Sequence, residues 1–300
     1  MNFKFLLNEA VNEAAKRVAI ELLDDSIIRL KNVESKFDES IHETRKNFKK
    51  MRALLRMIRL ELGSDLYKSE NLLFRDTGRI LSGIRDASVM VESADFIKQK
   101  HLQEIQKNDY ALLRKNLSLR ARRIRAQFKK NKELIDAIVN ILSKHKDNIR
   151  KWPLRKKTIG QVFHGVKIIY EQGQSAMSAA RKNPSADNFH EWRKRTKYLM
   201  YQVKILEDCW PEYLNLLSLK LSNLSETLGM EHDLSELRNL LLREPTLFAN
   251  KEAQTKLFNL IGQERLILQS KSKAIAPYIY SESSDNFTCR LQAYWEQAIK

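Results

Sequence analysis

The sequence predicts an all-α protein made of two repeats. Its 300 residues include only 8 Gly and 5 Pro, and long stretches of Leu, Ala, Glu, Lys and Arg follow helical periodicity. No segment shows the alternation of apolar and polar residues that indicates a strand. Two motifs each occur twice at nearly the same offset, which indicates a tandem duplication.

The first motif is a histidine followed by a row of cations. It reads Ile41-His42-Glu43-Thr44-Arg45-Lys46 and returns 148 residues later as Phe189-His190-Glu191-Trp192-Arg193-Lys194, with Lys49 and Lys197 following three residues on. The second motif, Leu81-Ser82-Gly83-Ile84-Arg85-Asp86, returns 147 residues later as Leu228-Gly229-Met230-Glu231-His232-Asp233. Because both motifs keep one register, the chain divides into a first repeat, residues 1–150, and a second, residues 151–300.

Helices of the first repeat are predicted at about residues 5–31, 37–62, 66–84 and 103–144, the last interrupted near Asn108. The clearest is the second, because its apolar residues step by four and three along one side, as in a bundle helix. This seam comprises Phe37, Ile41, Thr44, Phe48, Met51, Leu55, Ile58 and Leu62. The glycine in Gly63-Ser64-Asp65 ends that helix, and the polar pair caps the next. The fourth helix has a seam formed by Leu113, Leu117, Ile124, Phe128, Ile135, Ile138 and Leu142.

The joint between the repeats is predicted at Lys151–Lys157, because Pro153 disfavours helix at the residue before it. Helices of the second repeat are predicted at about residues 159–182, 189–208, 214–228, 234–242 and 249–273, and the tail after them has no assigned role. Asn183-Pro184 separates the first two of these helices. The seam of the second motif helix comprises Phe189, Trp192, Thr196, Leu199, Val203 and Leu206.

Composition indicates a polyanionic partner. The formal net charge is +17 and the pI is near 9.7, more than solubility requires, so nucleic acid, acidic lipid and condensed phosphate are all candidates. The excess is local, because residues 112–157 hold sixteen Lys and Arg against three acids, and residues 46–59 hold six against none. This distribution predicts a basic binding face.

The chain shows no sign of secretion or of a membrane span. Cys209 and Cys289 are too few and too far apart for a disulfide framework or a structural zinc site. The apolar run Phe5-Leu6-Leu7 is interrupted at once by Asn8 and Glu9, so it is not a secretory signal. We expect a cytoplasmic protein without a membrane span, metal or cofactor.

Cationic rows lie opposite the helix seams. They comprise His42, Arg45, Lys46, Lys49, Arg52, Arg56 and Arg59; Lys115, Arg122, Arg125, Lys129 and Lys132; and His190, Arg193, Lys194, Lys197 and Lys204. Arginine forks match phosphate oxygens, lysine adds a point charge, and imidazole donates one or two hydrogen bonds. Like charges at helical spacing repel, so a ligand that neutralises them is favoured. The second motif row is thinner, because Met200 and Tyr201 stand in the places of Arg52 and Ala53.

The chain carries two His-x-x-Arg-Lys-x-x-Lys helices, and a Leu-x-Gly-x-Arg-Asp or Leu-Gly-x-x-His-Asp motif follows each of them. This arrangement resembles the CHAD domain, the conserved histidine α-helical domain. The resemblance implies two antiparallel four-helix bundles related by a pseudo-twofold axis. It also implies binding of inorganic polyphosphate on a basic surface or pore, and recruitment to polyphosphate granules. The implied contacts are His42, Arg45, Lys46, Lys49 and Arg52, with His190, Arg193, Lys194 and Lys197; the cationic rows add Arg56, Arg122, Arg125, Lys129, Lys132 and Lys204. We expect Asp86 and Asp233 to orient the motif cations.

Two alternatives stay open on sequence grounds. His-Glu-x-Arg on a bundle helix resembles the phosphoacceptor helix of histidine kinases, but the chain carries no ATP-binding domain, and Asn47 and Arg195 replace the proline expected there. Nucleic-acid binding needs exposed aromatic residues for stacking, and only Tyr198 and Tyr201 are predicted on an outer face. Since the sequence also lacks a zinc-protease motif and a Gly-rich phosphate loop, we expect a binding protein and not an enzyme.

Overall fold

The computed structural model describes residues 3–155, 159–248 and 250–300, and in these residues it contains helices and no strand. The twelve α-helices of this described part are α1 (Val11–Lys31), α2 (Phe37–Met57), α3 (Arg59–Leu62), α4 (Ser64–Ile80), α5 (Ser82–Lys100), α6 (Lys107–Lys130), α7 (Lys132–Arg150), α8 (Ile159–Lys182), α9 (Ala186–Ile205), α10 (Pro211–Arg243), α11 (Lys251–Ile279) and α12 (Ser284–Ala298). The all-α prediction is confirmed. None of the helices described is long and apolar enough to cross a bilayer.

Helix α2 follows its predicted seam. All eight seam residues from Phe37 to Leu62 are buried. The helix is interrupted at Ile58, after which α3 adds one turn. Gly63 then ends the segment with a φ of 76°, a left-handed conformation that costs glycine little because it has no Cβ.

Several helix boundaries differ from prediction. The basic segment is interrupted at Asn131 and not near Asn108; the Asn131 side chain accepts a hydrogen bond from the backbone N–H of Leu134 and so caps α7. The helix predicted to end near Ile84 ends at Ile80, and a new helix, α5, begins at Ser82 and continues to Lys100.

In the second repeat, the two helices predicted at 214–228 and 234–242 are one helix, α10, which runs through Gly229. The C-terminal tail forms α12, which packs on α8. Within the predicted joint, Trp152 and Leu154 are buried, whereas Lys156 and Lys157 lie outside the described residues, as does Ala249, where another helix was predicted to begin.

The buried apolar side chains form two clusters that meet at the level of the second motif. The first cluster ends on α5 at Ile84 and on α10 at Leu228. The second begins on those helices at Met90 and Leu234. The polar residues of the motif therefore lie between two apolar clusters. Each cluster contains residues from both predicted repeats. The boundary at residue 150 therefore does not coincide with a boundary between the clusters, and it stays a prediction based on the duplicated motifs.

The four helices that carry the motifs form a closed ring of contacts. Helix α2 packs on α5 and α9, and α10 packs on the same two helices. The contacts of the surrounding helices also occur twice. The pair α1–α2 corresponds to α8–α9, the pair α5–α6 to α10–α11, and the pair α1–α7 to α8–α12. Both copies of both motifs are thereby brought to the centre of the molecule.

The crossing of α8 over the end of α2 depends on Gly165. A Cβ at this position would lie 2.3 Å from the carbonyl oxygen of Met57, which is backbone and cannot rotate away. We expect Gly165→Ala to lower the free energy of unfolding by about 3 kcal/mol, as in an overpacked core. Gly262→Ala in α11 is the control, because nothing lies near its Cβ and alanine favours helix by about 1 kcal/mol. Urea denaturation compares them, and equal stability of the two variants would contradict the close crossing.

Candidate functional site: a cationic cluster shared by both repeats

Four cations from the two motif helices meet where α2 packs on α9. Arg45 and Lys49 are four residues apart on α2, and Arg193 and Lys197 are four apart on α9, so each pair shares one helix face. The charges of Arg193, Arg45 and Lys197 all act on Lys49. We call these four residues the central cluster.

Three of the four cations in the central cluster lack an acidic partner among the residues described. Within the described part of the chain, Lys49, Arg193 and Lys197 form neither an ion pair nor a hydrogen bond with any carboxylate. Burial, with repulsion from Arg193 second, lowers the pKa of Lys49 to about 7 and that of Lys197 to about 8. The charges of Asp233 and Glu226 oppose these shifts without cancelling them. A bound anion would supply the missing counter-charge.

The two equivalent arginines differ in their partners. Arg45 donates to the Ser82 carbonyl oxygen at 3.2 Å and to Asp86 Oδ1 at 3.4 Å. Arg193 has a buried Nε without a hydrogen-bond partner, and its guanidinium donates to no other described residue. Arg45 is therefore tethered, and Arg193 is free to bind a ligand.

The second motif supports these arginines differently in the two repeats. Gly229 in α10 lies against Arg193, since a Cβ there would be in ordinary van der Waals contact with the Arg193 Nε at 3.5 Å. Asp86 accepts a hydrogen bond from Arg45 at 3.4 Å, and its orienting role stays a prediction. Asp233 makes no hydrogen bond or ion pair with the residues described, and burial raises its pKa although Arg193 opposes the shift.

The motif histidines flank the cluster as neutral rings. His42 is half exposed, and burial together with the charge of Arg85 lowers its pKa. In the second repeat the ring centroid of His190 lies 4.3 Å from that of His232, the residue at the position of Arg85. Burial is the main reason that the pKa of His190 is lowered and that the pKa of His232 falls to about 3. Without a ligand, these rings take up protons only in acidic solution.

Other predicted lysines lie at the edge of the cluster. Lys46 pairs with Glu43 at 3.2 Å, and Lys194 pairs with Glu191 at 2.5 Å. The charge of Lys204 acts on Lys197 and on Lys50. Lys50 was missed from the sequence. Its pKa is lowered to about 8, mainly by burial, and the signal was its place in a run of α2 cations without acids.

Arg52 and Arg56 continue the row of Arg45 and Lys49 along α2, and their side chains contact α4 and Tyr198 of α9. The Arg52 Nε donates to Asn71 Oδ1 at 3.0 Å and the Arg56 Nη1 to the same oxygen at 3.1 Å. The Arg56 guanidinium also lies 4.0 Å from the ring centroid of Tyr198. Tyr198 and Tyr201 are buried, so the prediction that they occupy an outer face is wrong; α8, α10 and the start of the chain cover the sides of α9 that α2 leaves open.

The basic residues predicted on α6 and at the start of α7 lie around the N-terminus of α2, about three turns from Lys49 along the helix. Arg125 pairs with Asp38, and Lys132 pairs with Glu34. The Lys129 Nζ lies 5.1 Å from the ring centroid of Phe37, and Arg122 is exposed. The structure therefore separates Arg125, Lys129 and Lys132 from the central cluster and gives two of these three cations acidic partners.

Over the described ranges, no group of three or more His, Cys, Asp or Glu side chains is arranged to hold a metal ion. The fold and the site define an all-helical protein in which duplicated histidine and cation motifs share one basic centre. The chain matches the family model of the CHAD domain over residues 29–242, and it belongs to that family. No curated protein matches the chain significantly.

Proposed function

We propose that the protein binds inorganic polyphosphate at the central cluster and catalyses no reaction on it. The observation that carries this proposal is a half-buried set of four cations, contributed by both motif copies, of which Lys49, Arg193 and Lys197 have no acidic partner in the described structure. Desolvated like charges are costly to hold together, and a chain of phosphates offers a negative charge on every unit. Arginine forks would fix the oxygens of the polymer and the lysines would add charge.

The duplication explains why one site receives residues from both halves. The repeated helix contacts support two antiparallel bundles, residues 1–150 and 151–300, related by a pseudo-twofold axis that passes between α2 and α9. On that axis a linear polymer would meet equivalent cations on both sides. Asp86 would orient Arg45, and His42 and His190 would donate hydrogen bonds at the two edges. The family resemblance extends this proposal to a cytoplasmic protein recruited to polyphosphate granules.

Polyphosphate is favoured over nucleic acid because the aromatic residues of the motif helices are buried. Base recognition in single strands uses exposed rings, whereas Phe189, Trp192, Tyr198 and Tyr201 all lie in the apolar core. Polyphosphate needs only cations and hydrogen-bond donors. Salt weakens the binding of either polymer by counterion release, so competition and not salt dependence separates the two.

A competition experiment tests this proposal. Long-chain polyphosphate, tRNA and duplex DNA are titrated at physiological salt against the wild type and against Lys49→Ala/Lys197→Ala. We expect preferred binding of polyphosphate and a loss of about tenfold or more in the variant, since two charge-assisted contacts disappear. Arg123→Ala/Lys130→Ala is the matched control, because it removes the same charge from exposed positions on α6. Equal affinity for all three polymers, or equal losses in both variants, would contradict the proposal.

A further inference from the structure

We propose that the outward side of α6 is a docking surface for an anionic phospholipid bilayer, on which the helix would lie lengthwise without crossing it. The inference is independent of the proposed function, because no residue of the central cluster takes part in it. It assigns an interaction to a basic helix that packs mainly on α5 and leaves its other side open to solvent.

The outer face of α6 combines cations with exposed leucines. It comprises Leu112, Lys115, Leu119, Arg122, Arg123 and Lys130, all of which are exposed. At 3.6 residues per turn these six positions lie within an arc of about 100°, on the side opposite the buried Leu113 and Leu117. Residues 112–130 include no acid, and they extend over roughly 27 Å of helix. The face is therefore long, narrow and wholly cationic.

The cations of α6 divide by position into paired and unpaired ones. Three arginines on the flanks of the helix each pair with an acid of another segment: Arg114 with Asp95, Arg120 with Glu244 and Arg125 with Asp38. The four cations of the outer face form no ion pair or hydrogen bond with any residue described. Like charges at helical spacing repel, so an anionic surface that meets all four would relieve a repulsion that the protein leaves uncompensated.

The leucines favour a membrane over a dissolved polyanion. Leu112 and Leu119 are 36% and 39% exposed, and because they are two helical turns apart they lie on one line among the cations. On a bilayer such a helix inserts its apolar side chains at the acyl boundary while its cations meet lipid phosphates. A polyphosphate or nucleic acid backbone would leave both leucines in water, and the outer face has no aromatic ring for base stacking.

Exposed leucines elsewhere lack the accompanying charge. Leu216 and Leu219 on α10 are more exposed, at 55% and 56%, but residues 211–226 contain one Lys and two Glu. Membrane binding of a surface helix depends on apolar area together with electrostatic attraction to anionic lipid. Leu216 and Leu219 therefore provide a matched control for the leucines of the outer face.

The test is cosedimentation of the full chain with vesicles at physiological salt. We expect binding to vesicles of phosphatidylcholine mixed with phosphatidylglycerol, and at least about tenfold weaker binding to phosphatidylcholine alone. Leu112→Ser/Leu119→Ser should lower the partition coefficient for the mixed vesicles about tenfold, because two apolar side chains no longer leave water. Arg123→Ala/Lys130→Ala should lower it about twentyfold, since each cation near an anionic surface contributes about fivefold.

The control variant Leu216→Ser/Leu219→Ser should bind the mixed vesicles as the wild type does. Equal binding of the wild type to both kinds of vesicle, or to neither, would overturn the inference. So would undiminished vesicle binding by Leu112→Ser/Leu119→Ser, because α6 would then attract any polyanion, nucleic acid included, through charge alone.

Lys49→Ala/Lys197→Ala separates this inference from the proposed function. The variant should lose polyphosphate affinity and retain the vesicle binding of the wild type. Selective vesicle binding by a chain that does not bind polyphosphate would contradict the proposed function alone. Polyphosphate binding by a chain that ignores anionic vesicles would contradict this inference alone.

Discussion

Arg193→Ala should weaken polyphosphate binding by about ten- to a hundredfold, and Arg45→Ala should weaken it only a few-fold. A hydrogen bond to a charged group contributes about 1.5–3 kcal/mol, and the two Nη groups of Arg193 donate to no residue of the described structure, so they can donate to the ligand. Arg45 already donates to the Ser82 carbonyl and to Asp86, so it must share its donors. Isothermal titration calorimetry with tripolyphosphate measures both losses.

Arg193→Lys is the matched variant for this comparison. It keeps the charge but loses the planar fork, so its affinity should fall between those of the wild type and Arg193→Ala. A larger loss in Arg45→Ala than in Arg193→Ala would contradict the assignment of Arg193 as the principal ligand-binding arginine. From the sequence, the larger contribution was expected from Arg45, because the cationic row of the first repeat is longer than that of the second.

Lys49→Met/Lys197→Met should stabilise the protein while it weakens binding. In the folded state both pKa values lie below the usual lysine value near 10.4. Between about pH 7 and pH 10 the unfolded chain therefore binds more protons than the folded chain, and the stability of the wild type rises with pH. The methionine variant removes the part of that dependence that Lys49 and Lys197 cause, and Lys50 keeps its own smaller part. We expect a gain on the order of 1 kcal/mol at pH 7, reduced by solvent screening, or roughly 2 °C in Tm.

Thermal unfolding at pH 7, 8 and 9 tests this second prediction. Burial raises the pKa values of Tyr201 and Cys209 above this window in the folded state. The Cys209 thiol titrates at about pH 8.5 in the unfolded chain and lowers the stability as the pH rises, but it does so equally in the wild type and the variants, so their difference reports the lysines. Lys132→Met is the control, because the pKa of Lys132 is raised by Glu34 and its loss removes no repulsion. A methionine double variant that is less stable than the wild type at pH 7, with an undiminished pH dependence, would show that repulsion in the cluster does not oppose folding.

The sequence predicted the features that local periodicity and repetition encode. The seam of α2 was read correctly, because each of its residues faces the core in a regular helix. The family was also predicted from the two motif pairs, and the sequence match over residues 29–242 confirms it. Such features depend on residues a few positions apart, or on identical spacing in two places, and both are visible in one chain.

Features that depend on tertiary contacts were not predictable. Gly229 is typical of a helix end, yet α10 continues through it, and the segments on both sides of it are buried in the core at Leu228 and Leu234. The difference between Arg45 and Arg193 is likewise invisible in two equivalent motifs, since it arises from the Ser82 carbonyl and Asp86 on another helix. Tyr201 was placed outside because the start of the chain, which covers it through Phe3, lies far away in sequence.

The central claim is that two motif copies form one anion site and not two, and the stoichiometry of tripolyphosphate binding tests it most directly. Calorimetry is performed on the wild type, Lys49→Ala, Arg193→Ala and the double variant. One shared site predicts one tripolyphosphate per chain and a coupling free energy of at least about 0.5 kcal/mol between the two substitutions. Two bound ligands per chain, with each substitution removing one of them independently, would contradict the claim.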